Sequence, residues 1–149
     1  MRKIIIIMAL TLFGCLFGCA TQPAPKGLLN YYEYQETGTV MPPLEYIRVE
    51  RTDEGIRMDY SRFGEEQKVV LLPDGAMEHI DSLFREYGLK KLKESYRPKV
   101  RIYDGTMWHV YFGYEENPIS SGGSNAWPPK RQMEGISAIN AWLKEHVTQ

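Results

Sequence analysis

Apolar and polar residues alternate most cleanly in the stretch from residue 45 to residue 60. Glu45–Arg51 places Ile47 and Val49 on one face, and Ile56–Tyr60 alternates in the same way. Between them, Thr52-Asp53-Glu54-Gly55 has turn composition. A four-residue loop there sets Arg51 opposite Ile56, Val49 opposite Met58 and Ile47 opposite Tyr60, so the four apolar residues share a face. Gly64-Glu65-Glu66 then turns the chain into a compact apolar strand, Lys68–Leu72. After Pro73-Asp74-Gly75 the period changes. Met77, Ile80, Leu83, Phe84 and Tyr87 recur at helical spacing, with Asp74 suited to cap the N-terminus and Gly88 the C-terminus. Farther on, Val100-Arg101-Ile102, Tyr103-Asp104-Gly105 and Thr106–Tyr114 read as a hairpin. A three-residue loop gathers Val100, Ile102, Trp108, Val110 and Phe112 on one face. Glu115–Pro129 reads as a long polar loop. A closing helix is expected from about Arg131 to Val147, with Met133, Ile136, Ile139, Trp142 and Leu143 inward. The tyrosine-rich Leu28–Val40 is a first strand or an ordered arm, ended by Met41-Pro42-Pro43. These elements predict a single α+β domain. Its sheet is mostly antiparallel, of about five or six strands, with two helices packed on one face.

The first nineteen residues follow a different pattern. Arg2 and Lys3 precede an apolar run from Ile4 to Gly18, the layout of a secretory signal. The run is 15 residues long. A bilayer-spanning helix needs roughly 20, so export is favoured over a permanent span. Leu12-Phe13-Gly14-Cys15 and Leu16-Phe17-Gly18-Cys19 each resemble the bacterial lipobox, in which a small residue precedes the cysteine that is lipidated and becomes the new N-terminus. Cys19 is the favoured site and Cys15 the alternative, because cutting before Cys19 leaves an ordinary apolar region and a tether-like Ala-Thr-Gln-Pro-Ala-Pro-Lys-Gly downstream. Simple secretion is the competing reading. The resulting division is a leader over 1–18, a lipidated cysteine and flexible tether over 19–27, and a globular domain over 28–149. Ala20 after the cysteine resembles an outer-membrane sorting pattern, where two membranes are present.

With both cysteines in the leader or at the anchor, thiol catalysis and cysteine–zinc sites are excluded from the domain. Removing Arg2 and Lys3 leaves 16 basic against 19 acidic side chains, a net of −3. That balance argues against nucleic acid as a partner and against a polybasic lipid patch. No cofactor motif is present. The three histidines, His79, His109 and His146, have no ligand-spaced partners, so no metal is expected. Ser120, Ser121 and Ser124 lie in a glycine-rich segment that is not G-x-S-x-G, and nothing in the sequence marks His109 as their base. Asp59, Asp81 and Asp104 read as strand-face, helix-face and turn residues.

The strongest candidate is the segment Ser120, Ser121, Gly122, Gly123, Ser124, Asn125 and Trp127, together with Trp108. Successive small residues aim backbone N–H groups into one concavity, and indoles present flat faces to a sugar or a partner side chain. The structural alternative is a tight turn in which Trp127 plugs the core and Pro128-Pro129 opens the helix. This segment, with Asp104-Gly105-Thr106-Met107-Trp108 before it, resembles small uncharacterised lipoproteins of gut-type bacteria that carry a Ser-Gly-Gly-Ser-Asn-Ala-Trp-Pro run. The resemblance implies a lipoprotein and no particular activity. The expectation is therefore a membrane-anchored envelope protein that binds a protein or glycan without catalysis. A small envelope hydrolase and an inhibitor lipoprotein are the alternatives.

Overall fold

The computed structural model describes residues 21–39, 43–100, 102 and 104–148. The leader, Cys15, Cys19 and the Met41-Pro42 strand ending lie outside them, as do Arg101 and Tyr103 of the expected hairpin. The chain is a single α+β domain built on one seven-stranded sheet, two strands larger than the low end of the expectation. In chain order the strands are β1 (Lys26–Thr37), β2 (Glu45–Thr52), β3 (Gly55–Arg62), β4 (Lys68–Leu72), β5 (Ser95–Tyr96), β6 (Met107–Glu116) and β7 (Ile119–Ser124). Their spatial order is β4-β3-β2-β1-β6-β7-β5, antiparallel except for the short β5–β7 pair. Helices α1 (Ala76–Glu86) and α2 (Lys130–Glu145) cover one face. Among the described residues, no helix is long and apolar enough to cross a membrane.

The register of β2 on β3 is the one that the alternation dictates, with Ile47 opposite Tyr60, Val49 opposite Met58 and Arg51 opposite Ile56. The expected four-residue loop is shorter, because Thr52 also pairs with Gly55 and the reversal is made by Asp53 and Glu54 alone. The tyrosine-rich segment is the central strand. Tyr32 and Tyr34 point toward the helices, with Val49 and Ile47 beside them on β2 and Phe112 and Val110 on β6. Tyr32 packs 5.2 Å from Phe112, which meets Phe84 of α1 at 4.8 Å. Removing side chains of this size from water stabilises the fold by about 1.5–3 kcal/mol each, so this aromatic column is a main support of the domain. The Tyr32 hydroxyl donates to Asn140 Oδ1 of α2 at 2.6 Å, giving the buried amide a partner.

Three expectations are overturned. Val100 and Ile102 are in no strand and are 72% and 50% exposed. Strand β6 has only two edges, and β1 and β7 occupy both, so the expected hairpin partner has nowhere to pair. The long polar loop over 115–129 is shorter, because Ile119–Ser124 is strand β7. Asp74 does not cap α1. Gly75, at φ 89°, takes the N-cap position with no side-chain hydrogen bond, whereas Gly88 is left-handed at φ 66° as expected.

The tether is also more ordered than its composition suggests. Strand β1 begins at Lys26, and Asn117 Nδ2 donates to the Ala24 carbonyl at 3.0 Å. Gln22 donates to the carbonyls of Ser120 (2.8 Å) and Leu92 (3.0 Å) and accepts from the Ser120 N–H at 3.0 Å. Its side-chain amide has the donor and acceptor of a peptide group, so it completes the β7 edge beside β5 as a further strand residue would. Gln22→Ala is expected to cost about 1–3 kcal/mol, the range for stranding paired polar groups. Urea denaturation measures the loss, and hydrogen exchange locates it at the Ser120 amide.

Candidate functional site

The serine-glycine segment does not form a concavity of free amides. As a strand it alternates. Ser121 faces the helices, fully buried, and its hydroxyl donates to the Lys93 carbonyl at 2.7 Å. The Gly122 N–H bonds the Glu94 carbonyl at 3.1 Å. Ser124 ends the strand opposite Met107. Small residues are required here for packing rather than for anion binding. A Cβ on Gly123 would lie 2.2 Å from the Ala126 carbonyl and 2.6 Å from Trp108 Nε1, and one on Gly122 would lie 2.9 Å from the Trp108 carbonyl. Asn125, left-handed at φ 50°, holds the turn that follows. Its N–H donates to the Thr106 carbonyl at 2.9 Å, and its Oδ1 accepts from the Thr106 N–H at 3.1 Å.

This turn fixes the two tryptophans. Trp108 is 3% exposed, and its indole N–H donates to the Ala126 carbonyl at 2.8 Å. Trp127 stacks on it, with ring centroids 5.7 Å apart and planes 12° from parallel, and Tyr96 flanks Trp108 at 5.9 Å. Trp108 is thus a core residue, and the plug expected of Trp127 is supplied by Trp108 instead. Trp127 remains 43% exposed. Its other surroundings are Pro128 and the outer side of α2, where Met133, Ser137, Ala138 and Ala141 form an open groove of about 830 Å³. Lys130 and Glu134 stand at its rim, 3.7 Å apart. The small residues at 137, 138 and 141 make the groove, and the fixed indole forms its end wall. Met133, expected inward, lines this outer groove. The periodicity of α2 identified its buried side, but not the apolar strip of Met133, Ala138 and Ala141 that runs beside Trp127 among the polar residues of the other side.

Ser120 lies on the face of the sheet away from the helices. Its hydroxyl is 3.0 Å from His109 Nε2, a juxtaposition that cross-strand register produces and the sequence alone does not reveal. Nucleophilic catalysis also needs donors for a developing oxyanion. The neighbouring amides are already engaged, Ser120 N–H by Gln22 and Gly122 N–H by Glu94. In the fold the pair is a cross-strand hydrogen bond, with neither of these two amides free beside it.

The rest of this open face is a lattice of paired charges. Asp59, 5% exposed, accepts from Arg57 at 2.9 Å and faces Arg48 at 3.4 Å, and Arg48 also reaches Glu50 at 2.8 Å. Tyr31 and Tyr46 donate to Glu33. Burial, followed by the adjacent Glu33 carboxylate, raises both phenols above the ordinary tyrosine range. On the helix-covered side, Tyr114 donates to Asp81 at 2.6 Å, and Asp81 also holds Arg85 at 2.8 Å. Burial, then the Asp81 carboxylate, raises Tyr114 well above its usual value. Among the described residues, no three histidine, cysteine or carboxylate side chains cluster as metal ligands. Of the titratable groups, Asp59 and Asp81 have structural partners, in keeping with their strand-face and helix-face reading. In comparisons with known proteins, the chain matches no family model and no curated sequence.

Proposed function

We propose that this chain is a lipid-anchored protein of the bacterial envelope that binds an apolar segment of a partner protein in the groove between Trp127 and α2. The anchor rests on the lipobox-like leader. The binding reading rests on one observation, a large indole held rigidly against a buried one yet left open at the end of an apolar groove. Preorganised aromatic side chains at the edge of a desolvated pocket are the common centres of protein interfaces. The lining favours a protein over a glycan. Its polar groups are Ser137 and the Lys130–Glu134 pair, which is joined to itself at 3.7 Å, so a sugar would leave most of its hydroxyls unpaired against Trp127, Pro128, Met133, Ala138 and Ala141. An amphipathic helix or apolar loop fits such a groove.

A photo-crosslinking side chain at position 141 of the full-length lipidated protein is expected to couple to one envelope protein, and the same group at position 66 to none. Trp127→Ala is expected to weaken that partner roughly 30-fold, the loss of a strong hot spot, while the uncovered Trp108 costs the fold about 1–2 kcal/mol and leaves the domain folded. Equal binding by Trp127→Ala and wild type would remove the groove from the interface.

A further inference from the structure

We infer that the anchored domain rests on its membrane in one orientation, with the basic segment Lys90–Lys99 against anionic phospholipid headgroups. The inference depends on the lipid anchor at Cys19 and adds to it a second, electrostatic contact.

Two independent features meet at one edge of the sheet. The first is the path of the N-terminal arm. Gln22 is fixed to Ser120 and Leu92, and Ala24 to Asn117, so the chain is held to the fold only three residues after Cys19. Three residues span at most about 11 Å when fully extended. The β7 edge therefore cannot lie far from the headgroups.

The second is charge. Segment 90–99 carries Lys90, Lys91, Lys93, Arg97 and Lys99 against the single acid Glu94, and all five basic side chains are exposed. Composition alone hides this excess, because the mature chain is net negative. The first half of the segment is also tied to the fold. Leu89 and Leu92 are buried to 0% and 1% exposure, Ser121 Oγ holds the Lys93 carbonyl, and Gly122 N–H holds that of Glu94. Lys90 lines the same small cavity as Ala24 and Pro25 of the arm.

The β6–β7 turn beside the segment adds Glu115 and Glu116 against Lys26, which leaves this edge net positive, whereas on the opposite edge Glu65, Glu66 and Asp74 offset Arg62 and Lys68. That edge is six strand spacings away, roughly 29 Å, beyond the ~8–10 Å over which exposed charges act at physiological salt. An anionic bilayer attracts the β5–β7 edge and not the β4 edge. The expected gain is on the order of fivefold in association per basic side chain close to the surface.

The test uses the full-length lipidated protein in vesicles of phosphatidylcholine, alone or mixed equally with phosphatidylglycerol. Fluorophores are placed at Ser95→Cys or Glu66→Cys, and the quencher is a spin-labelled headgroup. Flotation with both vesicle types, with stronger quenching at 95 than at 66 on anionic vesicles, is expected. Lys90→Glu with Lys91→Glu, or high salt, should return quenching at 95 to its value on neutral vesicles. Equal quenching at the two positions, or no dependence on phosphatidylglycerol in floating protein, would overturn the orientation while leaving the anchor intact. Protein that does not float would overturn both.

Discussion

Trp108→Ala is expected to destabilise the domain by about 3–5 kcal/mol, the range for deleting a large buried aromatic side chain. In a domain of this size that lowers the melting temperature by on the order of 10–20 °C. The indole does three things at once. It fills the end of the core between Tyr96 and Trp127, gives the Ala126 carbonyl its partner, and fixes the plane on which Trp127 stacks. Alanine leaves a cavity, an unpaired carbonyl and a free indole. Trp108→Phe keeps part of the stack and loses the hydrogen bond, for a smaller cost of about 1–2 kcal/mol. Urea denaturation of the three proteins measures the series. A Trp108→Ala cost below about 1 kcal/mol would contradict a core role for this residue. The variant is also expected to impair partner binding in its folded fraction, because Trp127 loses its support.

Alkali is expected to unfold the protein steeply above pH 10. Tyr32 is fully buried, and burial, then nearby Tyr34 and Glu45, raises its phenol well above the ordinary value. Tyr34 and Tyr114 are raised for the same first reason, with Glu36 adding to Tyr34 and Asp81 to Tyr114. A folded-state pKa above the unfolded one means that the native state keeps protons which the unfolded chain releases. The stabilisation is complete below about pH 10 and is lost as pH rises from there toward the folded values. Tyr32 alone contributes a slope of about 1.4 kcal/mol per pH unit across that window, and Tyr34 and Tyr114 steepen it. Urea midpoints at successive pH values measure the slope, and tyrosinate absorbance follows the ionisation. The buried phenols should ionise together with unfolding. Tyr32→Phe should flatten the pH dependence, while costing stability at neutral pH by stranding the buried Asn140 amide. Unchanged stability through pH 11 would show that the aromatic column is not closed to ionisation.

Local patterning determined the elements that alternate or repeat strongly. The β2–β3 register follows from Ile47, Val49, Ile56 and Met58, because a one-residue slip would turn all of them to the open face. Both helices followed from their apolar stripes, and with them the α+β class. The sequence also carries the lipobox-like leader and Gly88, and it places a turn within Thr52–Gly55 that the structure narrows to Asp53-Glu54. Tertiary structure decided what those patterns leave open. Ile119–Ser124 has few residues of high strand propensity, yet it is a strand because β6 offers an edge and only small residues fit against Trp108 and His109. Val100 and Ile102 belong to the better strand pattern and lie in no strand, because β6 has no edge left. The same competition for edges gave Gln22 its place and ordered a segment whose composition reads as tether. The candidate site moved for this reason as well. The serines and glycines were consumed by the sheet, and the exposed chemistry passed to Trp127 and the outer side of α2. A sequence displays each segment's own preference, but pairing partners and exposed faces are allotted among all segments together, and that allocation exists only in the folded chain.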